Sequence, residues 1–153
     1  AGIPISPVTN GSLVDERRQT AVPGIFACGN VLHVHDLVDF VSEEAEIAGR
    51  SAAAYLMGTE TAAPVSIPLT TDGRVRYTVP QTITREKPVT VFFRVADVYR
   101  NVTLMVTDEN GRVVYTKKKP RMAPGEMESV KLDKAMLAKY PDLKTITIKL
   151  EEE

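Results

Sequence analysis

The pattern of apolar and polar residues divides the chain into two parts of different character. Over residues 36–57, apolar side chains recur at spacings of three and four, which is typical of an amphipathic helix. These positions are Leu37, Val38, Val41, Ala45, Ala48, Ala52, Tyr55 and Leu56. Asp36 or Asp39 can supply the N-cap. The pattern predicts a helix on the order of 30 Å long, with an alanine-rich face that packs against a sheet.

A short apolar run precedes this helix. The sequence Gly24-Ile-Phe-Ala-Cys-Gly29 follows Pro23 and contains no charged residue. Such a run, bounded by turn-forming residues, predicts a strand buried on both faces, with Cys28 packed inside it.

The second part reads as a series of short strands. We predict strands at 74–79, 89–95, 102–107, 113–118, 129–132 and 145–150, and one short helix at 134–140. Val102, Leu104 and Val106 lie at alternate positions and should share one buried face. The turn Asp108-Glu-Asn-Gly111 should join two strands as a hairpin. This spacing favours an antiparallel immunoglobulin-like β-sandwich.

The change of character marks a domain boundary. Gly58 follows the last apolar helix position and Pro64 comes shortly after it, which are helix-stop signals. We therefore predict a first unit at 1–60, a linker at 61–64 and a β-rich domain at 65–153, which makes the fold class α+β.

Composition excludes several classes of protein. The chain has 153 residues, 43% hydrophobic and 25% charged, with a net charge of -1, as in ordinary globular proteins. This charge gives no general attraction to nucleic acid or to anionic membranes. The single cysteine cannot form an internal disulfide, and there is no long apolar run or leader-like start. We expect a cytoplasmic soluble protein.

The most specific pattern is Thr20-Ala-Val-Pro-Gly-Ile-Phe-Ala-Cys-Gly-Asn30, followed by the alanine-rich helix. It resembles the second flavin-binding motif of the pyridine nucleotide-disulfide oxidoreductases, the superfamily that includes thioredoxin reductase and NAD(P)H-dependent FAD oxidoreductases. The upstream segment Gly11-Ser-Leu-Val-Asp-Glu-Arg-Arg-Gln-Thr20 resembles the hairpin that leads into this motif. The resemblance covers residues 1–57 and implies a hairpin, a strand and a long helix of an FAD-binding α/β domain.

The resemblance also implies roles for four residues. Gly29 would let the backbone approach FAD closely because it has no Cβ. Asn30 stands where the family has an aspartate that hydrogen-bonds the ribityl or pyrophosphate region, and its side chain keeps an accepting oxygen. The backbone amides of Leu37 and Val38, at the positive end of the helix, would face the pyrimidine edge of the flavin.

The family's other binding elements are missing from this sequence. None of the nine glycines lie two apart, so neither Gly-x-Gly-x-x-Gly loop is present, and Cys28 has no Cys-x-x-Cys partner. We expect the C-terminal portion of a longer FAD-dependent NAD(P)H oxidoreductase, whose partner is its own N-terminal remainder. Alone, the chain should be inactive and bind little FAD.

The β-rich domain allows a different function. Similar flavoproteins with a β-rich tail look like partners of glycerol-3-phosphate dehydrogenase-type enzymes, so by analogy the resemblance implies a subunit-docking role. The alternative is a non-catalytic protein-interaction module. In either case the alanine-rich face of the helix should be covered by the sandwich or by a second copy of the chain.

Three groups of polar residues could carry chemistry. His33 and His35 are either metal ligands, with Asp36 and Asp39 nearby, or polar loop residues beside the flavin. We predict no metal site, because a structural zinc ion needs four ligands. Glu43, Glu44 and Glu46 should form a solvated helix face. The run Lys117-Lys-Lys-Pro-Arg121 should be a charged strand edge that discourages aggregation.

Overall fold

A computed structural model describes residues 2–60 and 65–152. The predicted linker at 61–64 lies outside the described residues. The helical elements are a 3₁₀ turn at Gly29–Val31, α1 at Val38–Leu56 and α2 at Lys134–Ala138. The strands are β1 Ile67–Thr71, β2 Val75–Val79, β3 Thr82–Ile83, β4 Val89–Val95, β5 Tyr99–Asp108, β6 Val113–Met122, β7 Glu128–Leu132 and β8 Ile146–Glu152.

The strands form two sheets. One has the order β3-β1-β8-β5-β6 and the other the order β2-β4-β7. All pairs are antiparallel except β1 and β8, which run parallel with Leu69 opposite Ile146. The α+β class is confirmed, whereas a fully antiparallel arrangement is wrong at this pair. Two strands were not predicted from the sequence. Strand β1 contains Pro68, which is unusual inside a strand, and strand β3 has only two residues.

Side chains from both sheets share one apolar core. Phe93 of β4 and Leu104 of β5 are both fully buried in it. Val102, Leu104 and Val106 are each at most 1% exposed, so the predicted buried face of β5 is confirmed. The predicted hairpin is also confirmed, since β5 pairs with β6 and Gly111 takes a φ of 77° in the turn between them.

The predicted strand at 24–29 is wrong. This segment makes only an isolated bridge between Gln19 and Phe26, with hydrogen bonds from the Thr20 amide to the Ile25 carbonyl and from the Ala27 amide to the Arg18 carbonyl. Ile25 is 39% exposed, and Cys28 is half-buried. Within the described residues the segment pairs on one side only, so it is not enclosed by a sheet.

Helix α1 is less covered than its pattern predicts. Its only buried residues are Glu44 and Ala48, while Ala45 is exposed and Leu56 is 84% exposed. No helix in the described part of the chain has the length and apolar character needed to cross a membrane.

The first segment is hydrogen-bonded to the sheets. The Val14 amide donates to the Gln81 side chain over 2.7 Å, and the Thr84 amide donates to Glu16 over 2.9 Å. These contacts hold the hairpin that precedes α1 beside the residues on either side of β3.

Candidate functional site

The turn between the hairpin and α1 depends on a glycine. Gly29 has a φ of 69°, a backbone conformation that a residue with a Cβ adopts only at a cost. Its carbonyl accepts a hydrogen bond from the Leu32 amide at 2.9 Å, which closes the 3₁₀ turn Gly29–Val31. Its own amide donates to Glu44 Oε2 over 2.9 Å. The turn is therefore fixed to the middle of α1.

Asn30 presents its side chain at the surface of this turn. The residue is exposed, and its Oδ1 accepts the backbone N–H of His35 at 3.3 Å. This bond spans the loop from the turn to α1. The amide nitrogen of the Asn30 side chain remains on the exposed surface as a donor.

The start of α1 has no side-chain cap. The N-cap residue is Leu37, in an extended conformation, and no side chain bonds the first-turn amides. The predicted cap by Asp36 or Asp39 is wrong, because Asp36 instead accepts the Met127 amide at 3.2 Å and Asp39 lies within the first turn. The positive end of the helix dipole is thus left without a neighbouring cap.

Apolar side chains surround this uncapped end in the sequence. From the last residue of the turn to the first residue of α1, four apolar residues are 54–75% exposed: Val31, Val34, Leu37 and Val38. We call these four residues the apolar rim. Leu37 and Val38, predicted to offer backbone amides, are therefore at the surface, at the N-cap and the first helical position.

A buried polar cluster lies beneath the turn, centred on the carboxylate of Glu44. Arg18 donates Nε–H to Glu44 Oε1 over 3.0 Å. His33 Nε2 lies 3.4 Å from Oε1, and His35 Nε2 lies 3.1 Å from Oε2. The side chains of all four residues are at most 1% exposed. The predicted solvated face is therefore wrong for Glu44, although Glu43 and Glu46 are exposed.

The cluster controls the charge of its members. Burial alone would raise the pKa of Glu44, but the hydrogen bond from His33 and the charge of Arg18 lower it to about 2. Burial lowers the pKa of His33 despite the nearby carboxylate. At neutral pH the cluster thus contains an ionised Glu44 and a neutral His33. Among the described residues, Arg18 Nη1 and Nη2 and His35 Nδ1 are buried without a hydrogen-bond partner.

Aromatic side chains connect this cluster to the smaller sheet. His33 Nδ1 lies 3.4 Å from the hydroxyl of Tyr77 on β2, and the His35 ring meets the Phe92 ring of β4 edge to face at 5.5 Å between centroids. Phe40 of α1 contacts the same Phe92 ring. Both histidines lie in the loop before α1, with His33 packed against Tyr77 of β2 and both rings packed against Phe92 of β4.

The sequence contained a signal for only part of the cluster. Glu44 is three residues after Val41 and four before Ala48, so it lies on the helix face that the apolar pattern marks as buried. Arg18 and Tyr77 had no such signal, because nothing local indicates that they meet this helix.

The chain matches no protein-family model, no curated protein and no solved structure.

Proposed function

We propose that this chain is the C-terminal portion of an FAD-dependent NAD(P)H oxidoreductase and that its first segment supplies the second flavin-binding motif. The observation that carries the proposal is the Gly29–Val31 turn, which leads within seven residues to the uncapped start of α1. Unpaired helix amides favour electron-rich groups. The pyrimidine edge of a reduced flavin is such a group.

The residues around the turn support a flavin in this position. Asn30 offers an exposed carboxamide that can hydrogen-bond the ribityl or pyrophosphate region. The positive φ of Gly29 allows a tight turn and a close backbone approach. The apolar rim offers a surface that the isoalloxazine ring and the N-terminal remainder of the flavoprotein would cover.

The β-rich part has a docking role in this proposal. We assign it as an immunoglobulin-like sandwich that binds a glycerol-3-phosphate dehydrogenase-type subunit. Its support is β6, the outer strand of the larger sheet, which places most of its side chains, including Lys117, in solvent. The same edge favours the second candidate function, a non-catalytic interaction module.

The test begins with the coding sequence before Ala1, which should contain Gly-x-Gly-x-x-Gly loops. The full-length protein should purify with about one FAD per polypeptide, measured by flavin absorbance. Asn30→Leu should lower this occupancy severalfold, because it removes the polar contact, and Asn30→Asp should retain it. Asn110→Leu is the matched control, since Asn110 is an exposed asparagine in the distant β5–β6 turn.

Two results would contradict the proposal. One is a full-length protein without flavin absorbance, and the other is Asn30→Leu with the FAD content of the unmodified protein. Residues 1–153 alone should neither quench flavin fluorescence nor gain thermal stability with FAD. Stoichiometric binding by this chain would show that the missing loops are not needed.

A further inference from the structure

The cluster under the turn combines ligand types that bind transition metals. We propose that His33, His35 and Glu44 form a site for a divalent first-row transition metal ion, represented here by Zn²⁺. Two imidazoles and one carboxylate suit zinc, iron, nickel or copper rather than Mg²⁺ or Ca²⁺, which prefer oxygen ligands. The inference is independent of the flavin proposal, because none of these three ligands is a residue assigned to FAD.

The spacing of the ligand atoms fits one ion. The three residues each offer a nitrogen or oxygen atom within 4.8 Å of the others. The two Nε2 atoms lie 3.4 and 3.1 Å from the carboxylate oxygens. Ligand atoms of a tetrahedral zinc ion, each about 2.0–2.1 Å from the metal, are about 3.3 Å apart. An ion bound by the whole set would draw its atoms, now within 4.8 Å of one another, to this spacing.

Neighbouring groups orient these three ligands. Arg18 and the Gly29 amide each donate to one oxygen of Glu44, and each oxygen keeps a second lone pair for the imidazole side. In the metal-bound state the single proton of neutral His33 would move from Nε2, which faces Glu44 in the metal-free chain, to Nδ1, where the Tyr77 hydroxyl at 3.4 Å can accept it. Carboxylates and imidazoles that bind metals commonly have such outer partners.

The electrostatic environment determines how tightly the site binds. The positive charge of Arg18 beside Glu44 opposes a dication. We therefore expect weaker binding than at a structural zinc site with four protein ligands, and a fourth position filled by water or by the second oxygen of Glu44.

The direct test uses the imidazoles themselves. The chain has only 2 histidines, so their ring nitrogen resonances report on this site alone. The chelator-treated chain is titrated with Zn²⁺ and, separately, with Mg²⁺. One equivalent of Zn²⁺ should shift the Nε2 resonances of both rings to the metal-bound position, and Mg²⁺ should shift neither. Unchanged resonances, or a shift confined to one ring, would overturn the proposal.

Variants then identify the third ligand by calorimetry. Glu44→Gln should lower Zn²⁺ affinity by at least about tenfold, while Glu43→Gln, its exposed neighbour with the same charge change, should not alter it. Cys28→Ser should also bind normally, which separates the site from the only thiol. Full affinity in a folded Glu44→Gln variant, or loss of affinity in Cys28→Ser, would refute the site. If near-UV circular dichroism shows that Glu44→Gln does not fold, the imidazole titration of the unmodified chain decides.

Discussion

The guanidinium Nε of Arg18 lies 3.0 Å from Glu44 Oε1, and these side chains are 1% and 0% exposed. The two residues are 26 positions apart, one in the hairpin before the Gly29 turn and the other in the middle of α1. A charge removed from water is costly unless it is paired, so each residue depends on the other. The pair therefore joins hairpin and helix at the point where the Gly29 amide also binds.

Removal of one partner should be severely destabilising. We expect Glu44→Ala to lower the free energy of unfolding by about 3–5 kcal/mol, because Arg18 is left as an unpaired buried charge. The measurement is urea denaturation. The double variant Arg18→Met/Glu44→Leu should recover much of this loss, and Glu43→Ala should stay within about 0.5 kcal/mol of the unmodified chain. Equal losses in the single and double variants would argue against a direct pair.

Acid should destabilise the fold in two steps. The lowered pKa of His33 means that the unfolded chain gains a proton first as the pH falls below 6.5, so stability begins to decrease there. The Glu44 contribution is fully present above its ordinary pKa of 4.5 and is lost as the pH falls towards about 2. Thermal melts from pH 7 to pH 2 should show both decreases. In a folded Glu44→Gln variant the lower step should be smaller, and an unchanged lower step would assign it to other carboxylates.

Gly11 should not tolerate a side chain. A Cβ there would lie 2.1 Å from the backbone oxygen of Leu32, which is itself buried. Gly11→Ala should therefore cost about 1–3 kcal/mol of folding free energy, because the backbone before His33 must move. Gly49→Ala is the control, since nothing lies within 4 Å of its added Cβ and alanine should stabilise α1 by about 0.5–1 kcal/mol. A neutral Gly11→Ala variant would refute the close approach.

Arg94 should hold the loop between the turn and α1 against the sheets. Its Nη1 donates to the Pro124 carbonyl and its Nη2 to the Val34 carbonyl, both at 2.8 Å. Arg94→Met should cost about 2 kcal/mol, because two carbonyls lose charged hydrogen bonds, and should speed hydrogen exchange of the His35 amide. Arg76→Met, an exposed arginine of β2, should change neither quantity. Unaltered exchange in Arg94→Met would mean that the loop is held by other contacts.

The spacing of apolar residues predicted those helices and strands whose bounds depend on neighbouring residues in the sequence. The bounds of β4, Val89–Val95, are those that its apolar run predicted. Helix α1 begins two residues later than predicted, because Asp36 bonds the Met127 amide instead of capping the helix. This contact crosses 91 positions of the chain, so no local signal could indicate it.

In the candidate site, too, some features follow from the local sequence and others from contacts between distant residues. The sequence drew attention to Gly29, Asn30 and the two histidines, and its helical period put Glu44 on the face of Ala48. It assigned Glu44, together with Glu43 and Glu46, to a solvated helix face rather than to a carboxylate pair for acid-base chemistry. What reversed this assignment was Arg18, which offsets the cost of burying that carboxylate.

The sequence by itself determined the periodic elements and the hairpin turn at Gly111, because these depend on backbone conformation and on the spacing of apolar residues. Only the tertiary structure decided the pairing of Arg18 with Glu44, the contacts of His33 with Tyr77 and of His35 with Phe92, and the parallel contact of β1 with β8. The physical reason is that a charge or a strand edge is stabilised by whichever partner the folded chain brings to it, and distance along the sequence does not specify that partner.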